Sequence, residues 1–295
     1  MKYIVYKGKS SAVLTEAGVP QGAVLSLLIF SFFLHDSPSS YDVNFVKYDD
    51  DLTVSLPVKC QSDRSKLNGF ISEIRQWSRE NRLTLNAPKC QTVNSTFRHK
   101  SDLNKLVSTH EVCNIDFTEI EAKPEIKYFG AILSADLSWS SLMLMISKKI
   151  FRLTFYIKKL RHSGITQPLL LQFVNSPILP IILYCSPLVF PGLLKKDYTL
   201  LCRMLKVVSR VSNVPLNQLV NILLDRHMDS CEKWAKSILS YSHHPLHSQL
   251  PPCISSGRTR SLCSEHKNST IPYLARVLYD KGSIRRETYN LLNSQ

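Results

Sequence analysis

Several features that mark whole classes of protein are missing from this sequence. Its eight cysteines form no CxxC pair and follow no regular spacing, which argues against a zinc ribbon or a disulfide scaffold. No apolar segment follows Lys2 and Lys7, as a secretory signal requires. The apolar run at 24–34 is too short to cross a bilayer, and the run at 178–190 is interrupted by prolines. We therefore predict a folded intracellular protein that is neither secreted nor inserted in a membrane.

Most of the cysteines are interpreted as buried thiols of an intracellular protein. A metal site near the carboxyl end is the alternative, because Cys231, Cys253, Cys263 and His266 are all potential ligands. They lack the short ligand pair at each end that structural zinc sites normally have.

Acidic residues are also scarce. The chain has 37 Lys and Arg residues against 23 Asp and Glu residues, a formal net charge of +14. This balance favours a polyanionic partner such as nucleic acid. At 295 residues and 44% hydrophobic, the chain is long enough to bury a substantial core.

Three of the acidic residues form one cluster, Asp49, Asp50 and Asp51. The flanking residues 43–48 and 52–56 alternate as half-buried strands do, so the cluster is predicted at the turn of a β-hairpin. Adjacent carboxylates repel one another unless a cation neutralises them, and hard oxygen ligands on strands suit a magnesium-dependent phosphoryl-transfer site. The alternative is a solvated acidic turn, because Asp is common in turns.

Apolar periodicity predicts the elements around this hairpin. A glycine-bounded loop at 18–22 precedes a helix at 23–34, which is apolar on nearly every face and is expected to be buried beneath a sheet. An amphipathic helix is predicted at 65–82 and a second hairpin around Gly130. Further strands are predicted at 3–6, 12–14 and 83–90, and further helices at 146–161, 169–175, 198–211 and 216–224.

The composition changes near residue 140. The helix at 146–161 has an apolar stripe, and most of its other faces carry Lys or Arg. A polyanion-binding surface and an ordinary solvated face both explain these charges. We predict an α+β half before residue 140 and a mainly helical, basic half after it.

Taken in order, these segments resemble the reverse transcriptases of non-LTR (LINE-type) retrotransposons. Residues 18–26, Gly-Val-Pro-Gln-Gly-Ala-Val-Leu-Ser, resemble the family's motif B. Residues 45–54 resemble motif C, whose usual core is Tyr-Ala-Asp-Asp, and the order and separation of the two motifs also match. Residues 77–90 are similar to motif D and residues 127–139 to the primer-grip motif E. Residues 244–246 and 267–276 are similar to the carboxyl end of such elements.

The resemblance implies a right-hand polymerase architecture. Residues 1–140 are expected to form a partial palm, an antiparallel sheet with helices. Residues 141–225 are expected to form a helical thumb-like region, and residues 226–295 a carboxyl-terminal helical region. The implied reaction is RNA-templated DNA synthesis on a DNA primer from deoxynucleoside triphosphates, in an intracellular ribonucleoprotein, nuclear or cytoplasmic.

The resemblance also implies roles for single residues. Asp50 and Asp51 match the paired carboxylates that hold the catalytic Mg²⁺ ions, with Mn²⁺ as an alternative. Lys89 matches a lysine proposed to protonate the departing pyrophosphate, and a plain surface lysine is the alternative interpretation. The loop that lies against template and nucleotide in the family is matched by Pro20, Gln21 and Gly22. The primer grip is matched by Tyr128, Phe129 and Gly130.

Three departures from the family pattern affect these expectations. The motif A aspartate and the fingers motifs have no room in residues 1–17, so we expect an amino-terminally truncated polymerase that is inactive alone. Asp49 replaces the usual small residue, and its charge either weakens nucleotide binding or helps to retain metal. Leu27 stands where many relatives have proline, a change with little expected effect.

Two rival functions remain open. The first is a non-catalytic nucleic-acid-binding remnant that keeps the basic helical surface. The second is a structural or interaction remnant with an exposed apolar face.

Overall fold

The computed structural model describes residues 24–40, 42–58, 61–95, 113–115, 118–120, 122–250 and 269–293. The chain divides into two compact units. The first unit contains Met1–Thr92 and His110–Ala122, and the second contains Val93–Thr109 and Lys123–Gln295. Helices and small antiparallel sheets occur in both, which makes the fold α+β as expected. The strands predicted at 3–6 and 12–14 lie outside the described residues.

The first unit contains two helices and two small hairpins among its described residues. Helix α1 is Val24–Phe33, and α2 is Gln61–Glu80. Between them, β1 (Asn44–Tyr48) pairs antiparallel with β2 (Asp51–Ser55). The 3₁₀ helix Ala87–Lys89 follows α2, and then β3 (Cys113–Ile115) pairs with β4 (Thr118–Ile120).

The core of this unit lies between the β1–β2 hairpin and α2. Val43, Phe70 and Ile74 are buried there, and apolar side chains of both strands pack around them. The predicted hairpin and the predicted amphipathic helix are therefore confirmed, and the alternation in β1 and β2 places one apolar face on α2.

Helix α1 forms where it was predicted, but the prediction that it is buried was wrong. Leu28 is 65% exposed and Phe32 is 83% exposed, and Leu25, Leu27 and Ile29 are exposed as well. Leu34 directly after the helix is buried, and Phe33 contacts Trp77 of α2 at 6.3 Å between ring centroids. Contact with the rest of the unit is thus concentrated at the carboxyl end of α1, and apolar composition alone could not show which faces are covered.

The prediction of a strand at 83–90 was also wrong. Residues 83–86 pair with no other strand, and Ala87–Lys89 forms a 3₁₀ helix with Pro88 inside it. Proline has no amide hydrogen to donate to a strand ladder, and its φ suits the first positions of a helix. Ala87 is buried against α2 and β4, so the segment is held by packing.

The second unit begins with a hairpin and continues as helices. Strand β5 (Glu125–Tyr128) pairs antiparallel with β6 (Ala131–Ser134), as predicted. The α-helices that follow within the described residues are α3 (Ser140–His162), α4 (Gln167–Phe173), α5 (Leu179–Leu183), α6 (Ser186–Val189), α7 (Lys195–Ser212), α8 (Leu216–Ser240) and α9 (Thr270–Asn293). Three shorter elements join them: a π-helix at Val174–Ile178 and 3₁₀ helices at Phe190–Gly192 and His247–Gln249.

The core of the second unit is formed mainly by α3, α7, α8 and the short helices between them. The predicted stripe of α3 is confirmed, since Ile146, Ile150 and Ile157 are buried. The apolar run at 178–190 also lies in this core, as expected. Pro177 lies inside the π-helix, where its missing amide hydrogen breaks the regular α-helical ladder.

Across the described residues, no single helix has both the length and the apolar character needed to cross a membrane. One bent pair of helices, Gln167–Leu183 with Ser186–Gly192, has the length and composition to cross a membrane when the two are taken together. Among the described cysteines, Cys202 and Cys231 are buried thiols, as predicted, whereas Cys90 and Cys185 are partly exposed. Cys253, Cys263 and His266, the other candidate ligands of a carboxyl-terminal metal site, lie outside the described residues.

Candidate active site

The acidic cluster lies at the tip of the β1–β2 hairpin. Tyr48 and Asp51 form the last pair of the ladder, so Asp49 and Asp50 form a two-residue connection. Asp49 has a φ of 54°. Asp adopts this left-handed region more readily than most residues, because its short side chain can hydrogen-bond to the nearby backbone. All three Asp residues are exposed to solvent.

The carboxylate side chains at this tip are of the chemical type that binds divalent metal ions. Asp50 and Asp51 are adjacent carboxylates, and Mg²⁺ is commonly held by one or two carboxylates together with waters and substrate phosphates. Within the part of the chain that the structure describes, no group of three His, Cys, Asp or Glu residues could hold a metal ion. The tip therefore offers two candidate ligands, and water or substrate would fill the other coordination positions of a bound ion.

Packing on α2 holds the hairpin in place. Phe45 of β1 meets Phe70 of α2 edge to face, with ring centroids 5.4 Å apart, and Leu52 and Val54 of β2 pack against the same cluster. Such aromatic contacts add to the apolar area that the hairpin buries. The solvated tip thus extends from a packed base.

Lys47 provides a second anchor that the sequence pattern did not reveal. Its Nζ donates a hydrogen bond of 2.8 Å to the carbonyl oxygen of Leu34, just beyond α1. Burial lowers the pKa of Lys47, and the nearby Asp36 carboxylate opposes this shift. A cation at the carboxyl end of a helix is favourable because the carbonyls there carry partial negative charge. Lys47 therefore ties the hairpin to the end of α1.

Lys89 lies in the same unit, at the end of the 3₁₀ helix, and is exposed. Its neighbours Ala87 and Cys90 pack with Ile71 of α2, while Leu85 contacts both this cluster and the core of the β1–β2 hairpin. The segment carrying Lys89 is therefore packed on the same helix as the hairpin that carries Asp50 and Asp51. Pro20, Gln21 and Gly22 lie outside the described residues.

The predicted primer-grip residues form the turn of the β5–β6 hairpin in the second unit. Phe129 and Gly130 both have positive φ, 44° and 82°, as a two-residue type I′ turn requires. The Tyr128 and Phe129 rings contact each other, with centroids 4.4 Å apart. The hydroxyl of Tyr184 donates a hydrogen bond to the carbonyl oxygen of Phe129, which connects the turn to the helical part of the unit.

A buried polar network in the second unit was also missed by the sequence analysis. His227 of α8 is fully buried, with Nδ1 3.0 Å from Ser186 Oγ and Nε2 2.9 Å from Tyr273 Oη. Burial lowers the pKa of His227 to about 4 and raises the pKa of the neighbouring Cys231 thiol to about 12. A buried neutral thiol is inert as a nucleophile. The network therefore links α6, α8 and α9 and has no access to a substrate.

Comparison with known proteins finds a family match for the amino-terminal part of the chain. Residues 1–133 match the family described as "Reverse transcriptase (RNA-dependent DNA polymerase)". The RNA-directed DNA polymerase from mobile element jockey of Drosophila funebris is 28% identical over 140 residues, which are 44% of this chain and 14% of that protein. No solved structure matches the chain.

A second relative is the probable RNA-directed DNA polymerase from transposon X-element of Drosophila melanogaster. It is 27% identical over 140 residues, again 44% of this chain and 14% of the relative. The aligned part is thus a small fraction of either relative. Nevertheless, the family match includes the β1–β2 hairpin, the turn of the β5–β6 hairpin and every predicted site residue. Residues 1–133 are therefore similar to the reverse transcriptase domain of non-LTR retrotransposons.

Proposed function

We propose that this chain carries part of the palm of an RNA-directed DNA polymerase, in which Asp50 and Asp51 are the metal-binding carboxylates. The observation that carries the proposal is the β1–β2 hairpin, which presents two adjacent exposed carboxylates from a packed base. It lies inside the segment that matches the reverse transcriptase family. The proposed substrates are an RNA template, a DNA primer and deoxynucleoside triphosphates.

The two compact units support an assignment to palm and thumb. The first unit packs its hairpin on a long helix, which is the sheet-and-helix layering expected of a palm. The second unit is mainly helical after the β5–β6 hairpin, as expected of a thumb and connection. We assign the β5–β6 hairpin itself to the primer grip.

The chemistry needs the hairpin to hold an ion and to leave room for substrate. A bound Mg²⁺ supplies Lewis-acid stabilisation of the phosphoryl oxygens. Asp50 and Asp51 provide hard oxygen ligands and the negative charge that retains the ion. Their exposure leaves space for a triphosphate beside them. Asp49 adds a third negative charge at this turn, which strengthens attraction for a cation and opposes the approach of phosphate.

The remaining site residues act on the leaving group, the primer and the template in this proposal. Lys89 is exposed, and we assign it to proton donation to the departing pyrophosphate. The primer-grip turn at Tyr128, Phe129 and Gly130 is rigid, because its type I′ geometry and the hydrogen bond from Tyr184 both restrain it. We assign this turn to contact with the primer backbone. Gln21 and its neighbours Pro20 and Gly22 are assigned to template and nucleotide by the resemblance.

Metal-directed cleavage tests the metal assignment. Fe²⁺ with ascorbate and peroxide generates hydroxyl radicals at a magnesium site, and they should cut the chain near residues 49–51. Mg²⁺ should compete with the cleavage, and the double variant Asp50→Asn/Asp51→Asn should abolish it. Asp42→Asn is a matched control, because Asp42 precedes the same hairpin and is exposed. Cleavage that persists in the double variant would place the metal elsewhere.

Primer extension on an RNA template tests the catalytic role. We expect this chain alone to bind primer–template and to extend it weakly or not at all in Mg²⁺ or Mn²⁺, because no group of three His, Cys, Asp or Glu side chains among its described residues could hold a metal ion. Extension that disappears in Asp50→Asn would mean that a further carboxylate, such as Asp49, completes the site.

A second candidate function is nucleic-acid binding without catalysis. The observation in its favour is that residues 137–224 contain eleven Lys and Arg residues and a single acidic residue, Asp197. In that case binding falls with salt and stays unchanged in Asp50→Asn/Asp51→Asn. Metal-directed cleavage at the hairpin tip separates the two candidates, because only the polymerase needs a metal there.

A further inference from the structure

The positive charge of the second unit is concentrated in α3 and α7. Asp197, the one acidic residue between positions 137 and 224, is buried at the start of α7. Its carboxylate accepts hydrogen bonds from Ser140 Oγ at 3.1 Å and from the Leu194 amide at 3.3 Å. This acid is thus engaged in capping a helix and is not available to neutralise the basic side chains on the surface.

The carboxyl ends of α3 and α7 meet at an open cavity of about 420 Å³. Its lining consists of Lys158, Arg161 and His162 from α3, and Arg210 and Val211 from α7. Three of the four polar members are Lys or Arg, the fourth is His162, and all four are exposed. Pockets for small organic ligands are mostly apolar, so this lining is more suitable for an anion.

One of these side chains is held in position by the neighbouring helix. Arg161 Nη1 lies 3.4 Å from the carbonyl oxygen of Arg210 and 3.5 Å from that of Val211. These carbonyls belong to the last turn of α7 and carry partial negative charge, which the guanidinium offsets. Arg161 is therefore oriented before any ligand arrives, and the guanidinium fork suits phosphate oxygens.

Exposed aromatic rings lie one turn earlier on α3. Phe155 and Tyr156 are each 55% exposed and meet edge to face, and the ammonium of Lys159 lies 5.2 Å from the Phe155 centroid. Aromatic rings beside cationic side chains form surfaces on which nucleic acids bind, through stacking and backbone contacts. This neighbourhood favours a nucleic-acid chain over a free inorganic ion.

We propose that Lys158, Arg161, His162 and Arg210 form a binding site for a backbone phosphate of nucleic acid. The site lies in the second unit, outside the residues that match the reverse transcriptase family, and it does not use Asp50 or Asp51. It anchors a nucleic-acid chain on the helical part of the molecule whether or not the hairpin tip is catalytic.

Basic residues at helix ends have a second explanation. Lys, Arg and His in a last turn stabilise a helix through its dipole, and both α3 and α7 end at this cavity. In that case the side chains contribute to stability and not to binding. The experiment must therefore measure binding and stability on the same variants.

The test compares two variants of the full chain that each lose two charges. Lys158→Gln/Arg210→Gln removes charges from the cavity, and Lys195→Gln/Lys196→Gln removes two exposed charges from the opposite end of α7. Binding of a short labelled RNA–DNA hybrid is measured by fluorescence anisotropy at several salt concentrations, with EDTA present. We expect the cavity variant to bind roughly tenfold or more weakly at low salt. The slope of log affinity against log salt should fall by about two, one per lost contact.

Several outcomes would overturn the proposal. Equal losses in the two variants would show a diffuse field and no defined site. A lower urea midpoint with unchanged binding would show that the side chains only stabilise the helix ends. Altered binding of a deoxynucleoside triphosphate or inorganic phosphate, with hybrid binding unchanged, would assign the cavity to free phosphate. If the double variant does not fold, Arg210→Gln is compared with the charge-conserving Arg210→Lys, and only the former should weaken binding.

The same assay separates this proposal from the proposed polymerase. In Asp50→Asn/Asp51→Asn, hybrid binding in EDTA should be unchanged, because no metal is involved. Loss of metal-directed cleavage with retained binding in this variant, and loss of binding in the cavity variant, would support the two sites independently.

Discussion

At the scale of single residues, Gly130 shows how backbone conformation constrains the primer-grip turn. A Cβ added at Gly130 would be 3.7 Å from Tyr184 Oη, an ordinary contact, so space does not exclude a side chain. The φ of 82° does disfavour one, because left-handed conformations cost most L-residues about 1–2 kcal/mol. The backbone conformation of this turn therefore favours glycine, which adopts positive φ without steric cost.

We predict that Gly130→Ala lowers the free energy of unfolding by about 1 kcal/mol, and that Gly130→Asn lowers it less, because Asn tolerates positive φ. Gly282→Ala is the matched control. Gly282 lies inside α9 with nothing within 4 Å of an added Cβ, so alanine should stabilise the helix by a similar amount. Urea unfolding followed by circular dichroism measures all three. Equal effects of Ala and Asn at position 130 would contradict the argument.

The buried His227 predicts a dependence of stability on pH. Its pKa is about 4 in the folded chain, against an ordinary value of 6.5. Because the unfolded chain takes up this proton first as the pH falls, stability is lost between about pH 6.5 and pH 4. The loss from this one group reaches up to about 3 kcal/mol.

The variant His227→Gln should flatten that part of the stability profile, at the cost of a lower stability at pH 7 because a hydrogen bond of the network is lost. His243→Gln is the control, since His243 is an exposed histidine outside the buried network. Urea midpoints at a series of pH values decide the question. Parallel profiles for the parent chain and His227→Gln would rule out His227 as the source of the slope.

At the scale of elements, α1 is a helix whose apolar surface is largely uncovered. Its exposed side chains include Leu28 and Phe32. Burial of one such side chain is worth about 1.5–3 kcal/mol, so several exposed together favour association. We predict that the purified chain associates as its concentration rises and binds the dye ANS.

The double variant Leu28→Gln/Phe32→Gln should reduce both effects, as measured by light scattering and dye fluorescence. Leu144→Gln/Leu169→Gln is the control, because these leucines are also exposed but lie on separate helices of the second unit. If both double variants reduced association equally, exposed leucines in general would be responsible, and α1 would have no special role.

At the scale of the whole molecule, the two units differ in the size of their cores. Among the described residues, the buried apolar side chains of the first unit are Leu34, Val43, Phe70, Ile74, Ala87 and Ile120. The second unit contains two extended clusters that together involve α3 and every later α-helix. A large core is what allows a segment to fold independently.

We predict that the fragment 123–295 folds alone, with a helical circular dichroism spectrum and a cooperative urea transition. The fragment 1–122 should unfold with low cooperativity, because its core is small. Expression of the two fragments and urea titration of each measure this difference. A non-cooperative 123–295 fragment would show that the second unit depends on the first.

Much of the fold could be predicted from the sequence where local periodicity decides. The β1–β2 hairpin, the β5–β6 hairpin around Gly130 and the stripe of α3 all follow from alternation, helical spacing and turn chemistry, and all are present. Motif order also identified the family. These features depend on residues close together in the chain, so the sequence contains enough information about them.

Contacts between distant residues could not be predicted in this way. No local pattern predicts that α1 stays exposed. The same holds for three contacts between segments far apart in the chain: Lys47 with Leu34, His227 with Ser186 and Tyr273, and Arg161 with Arg210. By itself the sequence determined the kinds of element, the acidic turn and the concentration of basic charge. Only the tertiary structure decided which apolar faces are covered and which charges converge, because packing depends on how whole elements fit together.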